Sequence, residues 1–360
     1  MRTQNLEVKL LAPAFLGDAS QSGVWRTPPF KALLREWWRI AAAPDHGHDH
    51  RRLRELEGAL LGNAWLYSGA TQSKVRLALK HWDTGTLTKS KWNNDDPRET
   101  HPEVGKVGSQ LYLGYGPLKN EKGTGTTLKA NAALQAEKTN TLSLAWPETE
   151  SSIPHTLQLI DWFGTTGGRS RNGWGSLALL PLPPGEGRGE GLRLEPLTKE
   201  HPQLTAVLRD LSACLRIDWP HAVGKDGSGP LVWESTENFG EWPEAMRFLA
   251  RTKIDFRTHL KFPDERPPHR QPQERHLLAY PVGTKHVVQG WGGNTRLANQ
   301  LRFKLFRDAH NKLRVRIYHT PHASPSNLPM PNLDQLAIWQ KVHHWLDDAT
   351  HGLQRLGARS

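Results

Sequence analysis

The chain has one cysteine, Cys214, in 360 residues. An internal disulfide framework is thereby excluded, and a reducing, cytosolic compartment is expected. No apolar run approaches the ~18 residues that a membrane span requires. The opening stretch, "MRTQNLEVKLLAPAFLGD", alternates like a strand and lacks the charged-then-apolar layout of a signal peptide. A soluble, cytoplasmic protein with no membrane partner is expected. Acidic side chains are in deficit, because 36 Asp+Glu face 47 Lys+Arg and leave a formal net charge of +11. That balance favours a polyanionic partner, nucleic acid first. Enzyme signatures are missing as well. G-x-x-x-x-G-K-[ST], a G-x-S-x-G elbow and H-E-x-x-H are all absent, and no pair of acids stands at phosphodiesterase-like spacing.

What is present begins with 15 tryptophans against 5 tyrosines. Tryptophans fill cores and can also stack on unpaired bases. Residues 6–16 read as a strand with Leu6, Val8 and Leu10 on one face. "TPPFKALLREWWRIAAA" reads as a helix from about Pro29, with Phe30, Leu33, Leu34, Trp37 and Ala41 at helical spacing. "RRLRELEGALLGNAWL" repeats that spacing at Leu53, Leu56, Leu60, Leu61 and Ala64. "KVRLALKHW" alternates, with Val75, Leu77 and Leu79 facing in. Residues 83–108 read as an exposed, mobile loop. "SQLYLGYGPL" and "TTLKANAALQAEKTNTLSLAW" offer further strands, 152–163 a short helix and "GSLALLPL" a strand. The order β, α, β, β, α, β with decorations is the split βαβ, ferredoxin-like arrangement.

The stretch "PLPPGEGRGEGLRLEP" is the best domain boundary. It divides the chain into domains 1–182 and 197–360 joined by a linker at 183–196. In the second half, "HPQLTAVLRDLSACL" reads as one helix with Leu204, Val207, Leu208 and Leu211 on a face. "EWPEAMRFLART" reads as a helix and "RHLLAYPVG" as a strand. A glycine-rich element, "VVQGWGGNTRLANQLRFKLFRD", feeds a strand that pairs with "NKLRVRIYHT". An amphipathic helix closes the chain, with Gly352 near its stop. The expected class is therefore α+β, two ferredoxin-like domains with antiparallel sheets and glycine-rich loops, and the repetition is architectural.

Four groups of residues bear on chemistry. Lys31, Arg35 and Arg39 recur at i, i+4 and i+8 opposite the apolar face of the first helix, with Trp38 beside them and Arg26 just before. Only Glu36 opposes four cations there, which favours RNA contact over an ordinary solvated face. On the strand, Lys74, Arg76 and Lys80 face out, either toward RNA or as charged edge protection. In "DWFGTTGGRSRNGWGSLALLPLP", from Asp161 to Pro183, Gly167 and Gly168 allow φ > 0 and close backbone approach. Free amides in such a turn can form an anion-binding concavity, and Arg169 and Arg171 add planar donors suited to phosphate. A helix C-cap followed by a tight turn is the competing reading. Finally, "PDHGHDHRR" gathers His46, His48 and His50 with Asp45 and Asp49 on a loop. A flexible H-x-H-x-H lacks preorganised metal geometry, so no metal and no catalytic residue are expected. Cys214 lies in an apolar helical context and reads as core.

Together the residues resemble a known family. "APAFLGDASQSGVWRTPPFKALLREWWR", "LRELEGALLGNAW" and "GGRSRNGWGSL" are similar to the RAMP superfamily of CRISPR-associated proteins. Within it the resemblance is strongest to the first Cmr subunit of type III-B effector complexes. Its R-T-P-x-x-K-x-x-L-R-x-W-W-R helix is matched by Arg26, Thr27, Pro28, Lys31, Leu34, Arg35, Trp37, Trp38 and Arg39. Its R-E-x-E-x-x-x-x-G helix is matched by Arg54, Glu55, Glu57 and Gly62. "RLANQLRFKLFR" resembles the strand entered from the family's late glycine-rich element, which brings Asn294 and Arg296 into the expected RNA-contacting set.

The resemblance implies two RRM-related domains in a ribonucleoprotein. It implies binding of guide RNA near its 3′ end, help in engaging single-stranded target RNA, and contact with other Cmr-type subunits. It implies no cofactor and no catalysis, since target cleavage in such complexes belongs to other subunits. The alternative is a RAMP endoribonuclease that processes guide RNA with a histidine such as His48 or His81. A structural cap docking its basic face on an acidic subunit is the third possibility.

Overall fold

The computed structural model describes residues 1–64, 69–182, 192–263, 266–283 and 285–358. The first half is built on β1 (Arg2–Leu10), α1 (Thr27–Ala42), α2 (His50–Leu61), β2 (Arg76–Leu79), β3 (Thr139–Trp146), α3 (Ser152–Phe163) and β4 (Leu177–Pro181). Its antiparallel sheet runs β4-β1-β3-β2, with Leu6 opposite Leu142 and Leu77 opposite Leu144. Strand alternation places Leu6, Val8 and Leu10 inward, each fully buried against α1 and α3. α1 buries Phe30, Leu33, Leu34 and Trp37 on that face, and Pro28 begins it where its missing N–H has no helical partner to lose.

The second half is built on β5 (Val232–Ser235), α4 (Trp242–His259), β6 (Leu301–Arg307), β7 (Leu313–His319), α5 (Gln335–Asp347) and β8 (Leu353–Arg355). Its sheet runs β6-β7-β5-β8. Each half thus follows β-α-β-β-α-β. When the four strands are ranked by sequence within each half, both sheets have the same neighbours. The mixed α and antiparallel β class agrees with the expectation. No described helix is long and apolar enough to cross a membrane.

Polar side chains of the second sheet join the halves at the C-terminal end of α3. Lys304 Nζ donates to the Ile160 carbonyl at 3.1 Å and to that of Asp161. Arg316 Nη1 donates to the Trp162 carbonyl at 2.6 Å, and Tyr318 Oη to that of Phe163 at 2.7 Å. The last four carbonyls of a helix have no partners within it and carry its negative dipole end. Gly164 N donates to the Ile160 carbonyl at 2.7 Å, and a lysine, an arginine and a phenol from the other half supply donors to the carbonyls of Asp161, Trp162 and Phe163.

Several elements differ from what the sequence pattern predicts. The span 83–108 is not a bare loop: it carries a short strand Leu87–Thr88 and a hairpin of Arg98–His101 with Gly105–Gly108. It is anchored by buried Trp92, which lies 6.1 Å from Trp174 and 6.2 Å from Trp242. Ser109–Gly114, expected as strand, is a helix. Asp96, thirteen residues earlier, caps it by accepting from Gln110 N at 2.8 Å and Leu111 N at 2.9 Å. "HPQLTAVLRDLSACL" is broken into helices Pro202–Val207 and Leu211–Cys214, because Leu208–Asp210 pairs in parallel with Val223–Asp226. "RHLLAYPVG" starts as a short helix, Glu274–Leu278, capped reciprocally by Gln273 and His276. Residues 183–191 of the expected linker lie outside the described residues. The remainder lies on the first half, where Leu192 and Leu194 pack against the first core, as does Leu197 just beyond it.

Candidate nucleic-acid interface

Arg35 and Arg39 stand on one face of α1, one turn apart, and α2 crosses beside them. Glu57 of α2 lies between the two arginines. Its Oε1 is 2.5 Å from Arg35 Nη1 and 3.0 Å from Arg39 Nη2, and Oε2 accepts from Arg39 Nε. Burial alone would raise the Glu57 pKa. The hydrogen bonds and charge of Arg39 and then Arg35 outweigh it and hold the carboxyl below its usual range. Arg35 also donates to the Leu61 carbonyl at 2.6 Å and to that of Gly62, closing the end of α2. It is a fastener between the helices.

The sequence-level charge count needs correction here. Glu36, the lone acid within the stripe, pairs instead with Arg302 of β6 at 2.5 Å. The acid that opposes the stripe is Glu57, from the next helix. Trp38 is also corrected: it is 3 % exposed and belongs to the core, so it offers no face to a base. Lys31 is half-buried, and burial with the charge of Arg35 draws its pKa down. Arg26 is half-buried in extended backbone at the start of α1.

An open cleft of about 430 Å³ remains beside this network. Arg39, Arg54, His50 and Asn63 line it, together with Asp218 and the half-buried Trp219. Arg39 keeps 44 % of its side chain exposed despite its ion pair, and Arg54 is exposed. No sequence signal marks Trp219 as a site residue, because it arrives from the second half across more than 150 positions. Asp49 caps α2 by accepting from Arg51 N at 2.9 Å, so one acid of "PDHGHDHRR" has a structural role. His48 packs edge-on against His221, centroids 5.3 Å apart. Among the described residues no three His, Cys, Asp or Glu side chains converge as metal ligands would.

Lys74, Arg76 and Lys80 are exposed along β2, the edge of the first sheet, while Val75 and Leu79 are buried. The Lys74 amide donates to the Leu60 carbonyl at 2.8 Å, so the basic edge begins where α2 ends, next to the carbonyls that Arg35 holds. α1 packs on α2, and the basic edge of β2 follows from the end of α2.

The glycine loop behaves differently from a phosphate cradle. Gly168 N donates to Phe15 O at 3.0 Å, Gly175 N to Pro13 O at 2.9 Å and Thr166 N to Gly175 O at 3.0 Å. These amides are engaged by the protein's own chain. Gly175 has φ +64, and a Cβ there would sit 1.9 Å from the Thr166 carbonyl oxygen. Gly167 has φ +89, and a Cβ would meet Leu16 Cδ2 at 2.7 Å and Phe15 O at 2.8 Å. The glycines permit close approach, but of Phe15, Leu16 and Thr166 of the protein's own chain.

The loop also meets the second half. Lys253 Nζ donates to Asn172 Oδ1 at 2.7 Å, Phe303 N to Arg171 O at 3.1 Å and Leu305 N to Ser176 Oγ at 2.9 Å. Arg171 donates to the Asn299 carbonyl at 3.2 Å, and burial beside Arg302 pushes its pKa down to about 10. It faces the junction between the halves. Arg169 remains exposed, with left-handed backbone at φ 59 and its Nε 2.5 Å from Tyr115 O. Asn294 and Arg296 lie on an exposed loop, where Arg296 donates to its own neighbours Gly293 O and Thr295 O.

No family model matches the chain, and no curated protein matches it. Solved structures do. The chain is similar to Cmr1 from Pyrococcus furiosus in its apo form, at 13% identity over 96% of this chain and 97% of that one, with a TM-score of 0.47. It is similar to a chain of Type III-B Cmr-beta bound to cognate target RNA, at 10% identity over 95% and 99% of the two chains, with a TM-score of 0.48. A chain of Type III-B Cmr-beta bound to cognate target RNA and AMPPnP in the presence of ssDNA is similar at 11% identity over 96% and 99%, with a TM-score of 0.46.

Proposed function

We propose that this chain is a non-catalytic RNA-binding subunit of a type III-B CRISPR (Cmr) effector complex. It contacts guide RNA near the 3′ end, helps engage single-stranded target RNA and works in the cytoplasm beside other Cmr-type subunits. In this reading its halves are two ferredoxin-like units of RAMP type, supported by the strand order that both sheets share. The observation that carries the RNA reading is the cleft between α1 and α2. There Arg39 and Arg54 line one cleft with the half-buried Trp219 and with Asp218, and the exposed basic residues of the β2 edge begin where α2 ends. Backbone phosphates are held by exposed cations, and an unpaired base can stack on an aromatic ring. These helices also carry the R-T-P-x-x-K-x-x-L-R-x-W-W-R and R-E-x-E-x-x-x-x-G patterns.

The test is equilibrium binding of single-stranded RNA across a salt series. Replacing Arg39 and Arg54 by alanine together should weaken binding and flatten the slope of log K against log salt by about 1.4, or ~0.7 for each phosphate no longer neutralised. A folded double variant with unchanged affinity and slope overturns the cleft as the interface. Strand scission of repeat RNA by the purified chain, with or without EDTA, overturns the non-catalytic role.

A further inference from the structure

A second cluster of cations lies where the second half meets residues 101–112. The C-terminal end of α4, the tip of hairpin 98–108, Arg275, residues 282–283 and residues 285–286 line a cavity of about 490 Å³. Arg257, Arg275 and Lys285 contribute to its wall, and Glu103 is the one carboxylate among the described lining residues.

Glu103 is already committed to Arg275. Nη1 of Arg275 donates to Glu103 Oε2 at 2.9 Å, and Nη2 lies 2.7 Å from Oε1. Arg275 is further held by the Leu260 carbonyl at 2.9 Å and by the Phe262 ring, 4.5 Å beneath its guanidinium. This pair is neutral overall and fixed in place. Arg257 has no counterpart to it: no acceptor among the described residues makes a hydrogen bond or ion pair with its guanidinium. Burial and the charge of Arg275 draw its pKa down, Tyr112 and Glu103 act to raise it, and an arginine stays protonated throughout. A partly desolvated cation without a partner is unfavourable. Lys285, exposed at the mouth, adds a second charge that has no ion-pair partner among the described residues.

The rest of the wall narrows the chemistry. Burial lowers the pKa of both His101 and His286, which makes them neutral hydrogen-bonding groups at neutral pH. The ring of Tyr112 forms a planar wall beside His101, centroids 6.0 Å apart. A fork-shaped cation suits a tetrahedral oxyanion, and a planar wall suits a base. The volume falls within the range of small-ligand pockets, ~300–1,000 Å³.

We propose that this cavity binds a phosphate group carried by a nucleotide, either free or at the end of an RNA strand, with Arg257 as its main ligand and Lys285 at the mouth. The proposal stands apart from the α1–α2 cleft and does not depend on it.

Calorimetric titration of the full chain with adenosine 5′-monophosphate and with adenosine tests it. The monophosphate should bind and adenosine should not. Arg257→Gln should weaken the monophosphate about 10- to 100-fold, the range for one charged hydrogen-bonding group. Lys285→Ala, at an exposed position, should weaken it less. A 5′-phosphorylated pentanucleotide that competes, where its 5′-hydroxyl twin does not, supports a strand end. Competition by neither oligonucleotide supports a free nucleotide. Equal binding of monophosphate and nucleoside, or no binding, overturns the proposal, as does a folded Arg257→Gln protein that binds like the parent. Should Arg257→Gln not fold, the wild-type contrast and Lys285→Ala decide. The Arg39/Arg54 double variant should bind the monophosphate normally, so failure of the cleft and failure of this cavity are read separately.

Discussion

Glu57→Gln makes two opposed predictions. The carboxylate is 7 % exposed and serves two guanidinium groups. Removing one partner of a buried ion pair costs ~3–5 kcal/mol. That range must be reduced here, because Arg39 is 44 % exposed and water screens its share. Glutamine also keeps one acceptor oxygen, and Arg35 keeps the Leu61 and Gly62 carbonyls. A loss of about 2–3 kcal/mol is expected on these grounds. At roughly 2–4 °C per kcal/mol for units of 150–250 residues, the melting point should fall by about 4–12 °C.

RNA binding should move the other way. Arg39 is released toward the cleft, so affinity should rise and the salt slope should steepen by about 0.7. The stability deficit carries a pH signature. The folded Glu57 pKa lies below its unfolded value, so the stabilisation is complete above the ordinary glutamate pKa of about 4.3. It is lost as pH falls through the folded value, and parent and variant should converge in acid. Scanning fluorimetry from pH 7 to pH 3 and filter binding at several salt concentrations are the assays. A variant that melts with the parent at pH 7 refutes the account of Glu57 as the fastener of α1 to α2. A variant that melts lower yet binds RNA with the parent's affinity and slope refutes the cleft.

Four further outcomes follow, three from the junction and the core and one from an exposed loop. Gly175→Ala should fail to give a stable fold, since its Cβ would lie 1.9 Å from Thr166 O. Gly293→Ala, where a Cβ meets nothing within 4 Å, should melt with the parent. Lys304 has its pKa pushed down to about 7 by burial. Between pH 7 and about 10 the unfolded chain binds a proton that the folded chain has released. Stability relative to Lys304→Met should therefore rise with pH in that window, by at most about 1.4 kcal/mol per unit, which melts at pH 7, 8 and 9 would reveal. Burial pushes the Cys214 thiol up to about 12, so it should resist a disulfide reagent at pH 8 in the folded protein and react on unfolding.

Much of the fold is legible in local pattern. α1, α3, α4 and the strands β3, β6 and β7 sit where periodicity places them, because each buries one face in one of two cores, whereas β1 spans Arg2–Leu10 and not the expected 6–16. The elements that escape it depend on distant partners. The helix at Ser109–Gly114 is capped by Asp96, and the strand Leu208–Asp210 exists only through pairing with Val223–Asp226. The candidate cleft is half legible. The cation spacing on α1 is written in the sequence, but the acid that neutralises it comes from α2 and the tryptophan beside it from residue 219. The purpose of the glycine loop is not legible. Its glycines are needed for a close approach, as the pattern suggests, but to Phe15 and Thr166. No local pattern distinguishes a phosphate from the chain's own carbonyls as the thing approached.

The most direct measurement of the central claim is crosslinking of the full chain to RNA in cells that carry a type III-B array, followed by sequencing of the bound RNA and mapping of the crosslinked residues. The account predicts enrichment of guide RNAs with crosslinks toward their 3′ ends, mapped onto α1, α2 and the β2 edge, and their loss in the Arg39/Arg54 double variant. Guide RNA at background level, or crosslinks spread evenly over total cellular RNA and unchanged in that variant, would contradict it.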